Sequence, residues 1–204
     1  MSTVAAAPDT ITALILAGGR SRRMASQAKA LLPFLQRPLI SHVIDRLLPQ
    51  AAGLIISANE NLDRYGRFGW PVISDSLSDW QGPLAGILAA LEQCPTPYLL
   101  TAPCDAPLVP RDLGERLSTA LNDAHARVAV AHDGQRLQPL FSLLHRDCAA
   151  GLRGYLEGGE RKAMAWITAR DPAIADFSDR ADAFMNLNTP EQFRAAEKML
   201  RSGL

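Results

Sequence analysis

Three short stretches of this sequence hold residues whose types and spacing could do chemistry, and each comes after an apolar run. The first is Leu16-Ala17-Gly18-Gly19-Arg20-Ser21-Arg22-Arg23-Met24, closing at Lys29. Adjacent glycines let a backbone turn sharply and bring its N–H groups close to an anion with no Cβ in the way. Arg20, Arg22, Arg23 and Lys29 add four cations to the same loop, and phosphate oxygens are their natural partner. The spacing is neither the dinucleotide fingerprint nor the P-loop. A basic loop can equally be solvated surface, but a position directly after a buried strand favours phosphate. The second stretch is Thr101-Ala102-Pro103-Cys104-Asp105-Ala106-Pro107. A lone carboxylate between two prolines at a strand's carboxyl end suits magnesium, which takes one or two carboxylates and completes its shell with phosphates and water. An Asp that merely caps the next turn is the plainer alternative. Cys104 has no activating base nearby in sequence and reads as packing. The third stretch runs from Asp75 to Gly86. There Gly82 precedes Pro83 at a helix start, so backbone N–H groups point toward the same end of the sheet.

Strand-like and helix-like patterns alternate around these loops. Ile11–Leu16 is a short, nearly continuous apolar run suited to a strand buried on both faces. From Leu39, the residues Leu39, Ile40, Val43, Ile44, Leu47 and Leu48 form one helical face, with Pro38 placed as a first helical residue. Leu54–Ser57 predicts a strand, and Pro71–Ser74 a weaker one whose proline suits an edge or a strand start. Pro83–Gln93 predicts a helix, Tyr98–Ala102 a strand, Pro110–Asn122 a helix and Val128–Ala131 a strand. Asp133-Gly134 suits a tight turn. Leu140–Leu144 reads as a strand, Asp147–Leu156 as a helix and Ala183–Leu187 as extended chain. Thr189, Pro190 and Gln192 spell the start of a last helix reaching about Arg201. Alternating strands and helices imply an α/β fold with a mostly parallel sheet. Ligands in such sheets bind beyond the carboxyl ends of the strands, which puts chemistry after Leu16, Ser57, Ser74 and Ala102.

At 204 residues the chain fits one domain, with a large core and no need of a metal or disulfide staple. A flexible tail is expected over residues 1–10 and a single domain over 11–204. Lys plus Arg and Asp plus Glu balance at 21 each, which argues against a general nucleic-acid or membrane-surface binder. Cys94, Cys104 and Cys148 are odd in number and widely spaced, so neither a disulfide framework nor a zinc site is suggested. No apolar run approaches a membrane helix, and the first ten residues lack a basic, then apolar leader. A cytoplasmic location is expected.

The order L-A-G-G-x-S-x-R-M with a lysine after it resembles the signature of nucleotidyltransferases acting on sugar phosphates and the molybdenum cofactor. D-S-x-x-D-x-x-G-P-L-A-G over Asp75–Gly86, P-C-D-x-P over Pro103–Pro107 and D-x-F-x-N-x-N-T-P-E over Asp182–Glu191 resemble the molybdenum cofactor guanylyltransferase family, in the right order over about Ile11–Ala196. The resemblance implies a nucleotide-diphospho-sugar-transferase-like fold: a Rossmann-like, three-layer α/β/α arrangement with a mostly parallel, mixed central sheet. It divides the domain into a nucleotide half, about 11–110, and an acceptor half, about 111–204. It implies that Leu16, Ala17, Gly18 and Gly19 wrap the triphosphate with Arg23 and Lys29 on its oxygens, that Ser57 and Asp75 lie at the guanine nucleotide, and that Asp105 carries magnesium. On the acceptor side it implies Gly82 and Gly86 lining the pocket, Arg161 and Lys162 at the pterin phosphate, and Asn186 and Asn188 gripping a metal-bound phosphate or the pterin. Two amides two residues apart on a strand would share a face. Phe177-Ser178-Asp179 and Gln138-Pro139-Leu140-Phe141 also look like that branch. The chain departs from the pattern at three places: Ala25 comes after Met24, Ala28 precedes Lys29 where Asp is usual, and Ser57 stands for the first Asn of N-A-N.

The reaction so implied is transfer of GMP from GTP to molybdenum-bearing molybdopterin with release of pyrophosphate. Its partners would be the proteins that deliver molybdopterin and mature molybdoenzymes, with no nucleic acid and no membrane. The alternatives are a cytidylyltransferase for the same cofactor, a sugar-phosphate nucleotidyltransferase, and a non-catalytic nucleotide-binding relative. Ala17-Gly18-Gly19 favours guanine over cytosine, because the cytidylyl branch more often shows L-A-A-G.

Overall fold

The computed structural model describes residues 5–18, 28–75 and 82–202. In chain order the elements are β1 (Ile11–Leu16), a small hairpin of β2 (Pro33–Phe34) and β3 (Arg37–Pro38), α1 (Leu39–Leu47), β4 (Gly53–Ser57), α2 (Leu62–Gly66), β5 (Val72–Ile73), α3 (Pro83–Gln93) and β6 (Tyr98–Pro103). Then come α4 (Leu113–Asp123), β7 (Val128–His132), β8 (Leu137–His145), α5 (Cys148–Glu157), α6 (Ala163–Thr168), β9 (Ala173–Asp176) and α7 (Pro190–Arg201).

Seven strands form one sheet in the order β5-β4-β1-β6-β8-β7-β9. All neighbours are parallel except β8, which runs antiparallel to both β6 and β7. The alternation of side chains along β1 divides the core. Ile11, Ala13 and Ile15 face the cluster under α1 and α4, while Leu14 and Leu16 face the cluster under α3, α5 and α6. Two apolar faces covered by helices make the three-layer α/β/α arrangement, and they explain why β1 and β6 read as nearly continuous apolar runs. A third, smaller cluster of Phe34, Leu39, Leu108, Leu187 and Ala196 docks α7.

After β1 the chain moves one way, through α1 to β4 and on to β5. After α3 it jumps to the opposite side of β1, to form β6. The order therefore reverses between β1 and β6, and a crevice opens beyond their carboxyl ends.

The described end of the expected tail is tied down: Ala6 is buried, its N–H donates to Asn122 Oδ1 at 3.1 Å and its carbonyl accepts from Asn122 Nδ2 at 3.2 Å. Pro38 lies just before α1 and pairs with Pro33. β5 is an edge strand, as its proline predicts. The Asp133-Gly134 turn joins β7 to β8, with Gly134 at φ +91°. The cysteines are free.

Extended chain over Ala183–Leu187 is not what forms. Ser178–Phe184 is a kinked 3-10 helix, irregular at Arg180, and only from Met185 is the backbone extended. Phe184 is drawn into the core between Phe177 and Phe141, at ring separations of 5.3 and 4.9 Å, and that burial outweighs the local pattern. No helix among the described residues is long and apolar enough to cross a membrane.

Candidate active site

β1 aligns the two halves of the site. Leu16 pairs with Ser57 of β4 on one side and with Pro103 of β6 on the other. At the spacing of adjacent strands these two lie about 10 Å apart. The chain just past Leu16 is fastened to both neighbours: Ala17 N–H donates to the Ser57 carbonyl at 2.8 Å, and Cys104 N–H donates to the Leu16 carbonyl at 3.1 Å.

On the β4 side, Gly18, Ser57, Asn59, Asp75 and Gly86 come together. A Cβ on Gly18 would sit 3.6 Å from Asn59 Nδ2. Asn59 and Asp75 clasp each other: Asn59 Nδ2 donates to Asp75 Oδ2 at 2.8 Å, and Asp75 N–H donates to Asn59 Oδ1 at 2.9 Å. Burial raises the Asp75 pKa, opposed by the hydrogen bond from Asn59. Asn59 is legible in the sequence only as the last letter of Ser57-Ala58-Asn59; the clasp with a residue 16 positions on has no sequence signal. Gly86 is required by proximity, since a Cβ there would stand 2.3 Å from Ser57 Oγ. Gly82, at φ +76° and ψ −169°, opens α3 in a conformation that side chains resist.

On the β6 side, Lys29 Nζ donates to Asp105 Oδ2 at 2.5 Å and to Asn188 Oδ1 at 2.7 Å. Both charged side chains are well shielded, at 15% exposure for Lys29 and 18% for Asp105. Asp105 sits in the turn just after β6, and its carbonyl accepts from Leu187 N–H at 2.8 Å, which brings the distant C-terminal segment to the site. Burial, then the neighbouring Asp105, push the Cys104 thiol up to about 12, so Cys104 is a packing residue. Among the described residues no group of three or more His, Cys, Asp or Glu could hold a metal by itself.

The remaining candidates divide. Gly19 and Arg23 lie outside the described residues. Asn186 and Asn188 lie outside any strand; Asn188 accepts from Lys29 Nζ, while its Nδ2 donates to the Asn186 carbonyl at 3.4 Å. Thr189 also caps α7 in a capping box with Gln192. Arg161 Nη1 donates to the carbonyls of Leu156 and Glu160, both at 2.6 Å, closing the end of α5. Lys162 begins α6 with an exposed side chain. Among the described contacts, none joins Arg161 or Lys162 to Lys29 or Asp105.

A mostly parallel sheet with a switch point between β1 and β6, glycines Gly18 and Gly86 on one side and a lysine–carboxylate pair on the other fit a nucleotidyltransferase. Over residues 13–173 the chain matches the family model described as MobA-like NTP transferase domain, and it belongs to that family. It is 49% identical over 193 residues to a molybdenum cofactor guanylyltransferase of Ralstonia nicotianae, covering 90% of this chain and 94% of that one. It is 47% identical over 182 residues to one of Shewanella sediminis, covering 89% and 93%. Its fold matches the crystal structure of molybdopterin-guanine dinucleotide biosynthesis protein A from Archaeoglobus fulgidus, with a TM-score of 0.77 at 20% identity, covering 94% of this chain and 99% of that one.

Proposed function

We propose that this chain transfers GMP from GTP to the phosphate of molybdenum-bearing molybdopterin, forming the guanine dinucleotide form of the cofactor and releasing pyrophosphate. What carries the reading is the near-full-length similarity to molybdenum cofactor guanylyltransferases at 47–49% identity. An oxygen of the acceptor phosphate attacks the α-phosphorus of GTP, the α–β bridging bond breaks, and pyrophosphate leaves. The acceptor is already ionised near neutral pH, so no protein nucleophile or general base is needed.

The protein's work is then alignment and charge. The nucleotide half, about 11–110, holds GTP: Asp75, clasped by Asn59, and Ser57 against Gly86 frame the nucleoside. The loop Leu16–Gly19 with Arg23 and Lys29 takes the phosphates. The acceptor half, about 111–204, presents Asn186 and Asn188, with Arg161 and Lys162 toward the pterin. Fixed cations near two anions reduce their repulsion and stabilise the leaving group.

Magnesium fits this site. The Lys29 ammonium already sits between two hard oxygens, Asp105 Oδ2 and Asn188 Oδ1, a donor pair that substrate phosphates and water would complete. Asp105 would hold it, and it would supply electrophilic assistance to the phosphoryl oxygens. The reaction belongs in the cytoplasm, beside the proteins that deliver molybdopterin and receive the finished cofactor, with no role for nucleic acid or a membrane.

Thermal unfolding with nucleotides tests the GTP assignment. A ligand bound only to the native state stabilises it by mass action, so GTP with magnesium should raise the melting temperature well above CTP or ATP at equal concentration. An equal or larger shift with CTP would favour cytidylyl transfer.

A further inference from the structure

Phe177-Ser178-Asp179 has no part in the chemistry above, yet it carries an unusual set of contacts. Arg116, on α4, turns its guanidinium fork onto Asp179: Nη1 donates to Oδ1 at 2.7 Å and Nη2 to Oδ2 at 2.8 Å. The same side chain donates from Nη1 to the Asp176 carbonyl at 3.0 Å and from Nε to Asp112 at 2.9 Å, and it lies 4.9 Å over the Phe177 ring. An exposed ion pair alone contributes little. A bidentate fork that also grips a backbone carbonyl and stacks on an aromatic ring is the geometry in which such pairs fix position.

Beyond Asp179 the chain leads directly into the site. Phe184 wedges into the core, Leu187 N–H reaches the Asp105 carbonyl, and Asn188 accepts from Lys29. Between the end of β9 and the start of α7 no regular element longer than the kinked 3-10 segment holds the chain. Phe184 and Leu187 are buried and hold the middle of the segment, and what anchors its two ends sets the rest of its path to Asn188. At one end the anchor is the capping box of α7. At the other, Arg116 adds its fork to the buried Phe177, whose N–H donates to the His132 carbonyl at 2.8 Å.

We propose that Arg116 and Asp179 are positioning residues: their forked pair sets the turn over Ser178–Phe184 and thereby holds Leu187 and Asn188 against Asp105 and Lys29. The consequence for catalysis rests on the guanylyl-transfer reading; the placement itself does not, and can be measured apart from it.

The test uses the full chain as wild type, Asp179→Asn, Asp179→Glu and Arg116→Lys. Hydrogen–deuterium exchange at the Leu187 amide reports placement directly. Asp179→Asn should speed that exchange about tenfold or more while the amides of β1 and β6 keep their protection, since a local opening leaves the core unmoved. Arg116→Lys keeps the charge but loses the fork, and should behave like Asp179→Asn. Asp179→Glu, which keeps a two-oxygen acceptor, should restore most of the protection. In GMP transfer, Asp179→Asn should lower kcat about tenfold with the KM for GTP within about twofold of wild type, as expected of slight misplacement. Unchanged exchange at Leu187 overturns the inference, as does uniform loss of protection across β1 and β6. A wild type that transfers no GMP, with exchange at Leu187 responding as described, overturns the functional reading and leaves the positioning role standing.

Discussion

Lys29 and Asp105, 76 positions apart in sequence, meet at 2.5 Å beyond the carboxyl ends of β1 and β6. The pair explains how a lysine preceded by Ala28 is oriented. Ala28 offers no carboxylate beside the lysine, and Asp105 supplies one from across the crevice, with Asn188 as the second acceptor. The same lysine that would bind phosphate thus rests on the residue that would hold the metal. A charged substrate needs only to exchange one set of oxygens for another.

Lys29→Ala is accordingly expected to lower kcat/KM by about ten- to a hundredfold, the equivalent of about 1.5–3 kcal/mol for a charge-assisted contact. Ala28→Asp should change turnover by no more than about fivefold, because the added carboxylate both orients and partly neutralises a lysine that already has an acid partner. Steady-state kinetics on the two single variants with saturating magnesium decide this. A Lys29→Ala enzyme at wild-type rate would remove the lysine from the phosphate site. Activity that emerges only in Ala28→Asp would make the natural chain a non-catalytic relative.

Asp105→Ala should abolish transfer, a loss of about a thousandfold or more, while leaving the melting temperature close to wild type. The fold is expected to survive because backbone bonds hold this turn: the Asp105 carbonyl accepts from Leu187 of the C-terminal segment, and within the turn Ala106 N–H donates to the Pro103 carbonyl at 3.4 Å. Near-wild-type turnover with magnesium present would contradict the assignment.

The elements that position these groups are readable from sequence because they are regular and buried. Ile11–Leu16 and Pro83–Gln93 are predicted with their observed bounds. The elements that sequence does not reveal are short or fixed by distant partners. β9 and α6, four and six residues long, carry no period sufficient to mark them. The 3-10 turn over Ser178–Phe184 replaces the predicted extended chain because Phe184 finds Phe177 and Phe141, and Asp179 finds Arg116. Among site residues, Lys29 and Asp105 stand out by type and setting. Their contact, and the Asn59–Asp75 clasp, are tertiary and leave no local trace.

Gly86→Ala should damage both stability and nucleotide binding. Its Cβ would meet Ser57 Oγ at 2.3 Å, Ser57 Cβ at 3.2 Å and Leu16 Cδ2 at 3.4 Å, so Ser57 would have to turn or α3 back away from β4, at a cost of about 1–3 kcal/mol. Ser57→Ala removes the nearest atom. The double variant is therefore expected to be less destabilised than the sum of the two singles, by at least about 0.5 kcal/mol. Denaturant melts on all four proteins check this, and strict additivity would show that the two residues do not press on each other.

GMP transfer is the central claim, and the most direct measurement of it is pyrophosphate release from GTP, CTP, ATP and UTP with molybdenum-loaded molybdopterin and magnesium. Release should be fast with GTP, much slower with the other three, dependent on the acceptor, and accompanied by formation of the guanine dinucleotide. Preference for CTP, or no acceptor-dependent pyrophosphate from any nucleotide, would contradict it.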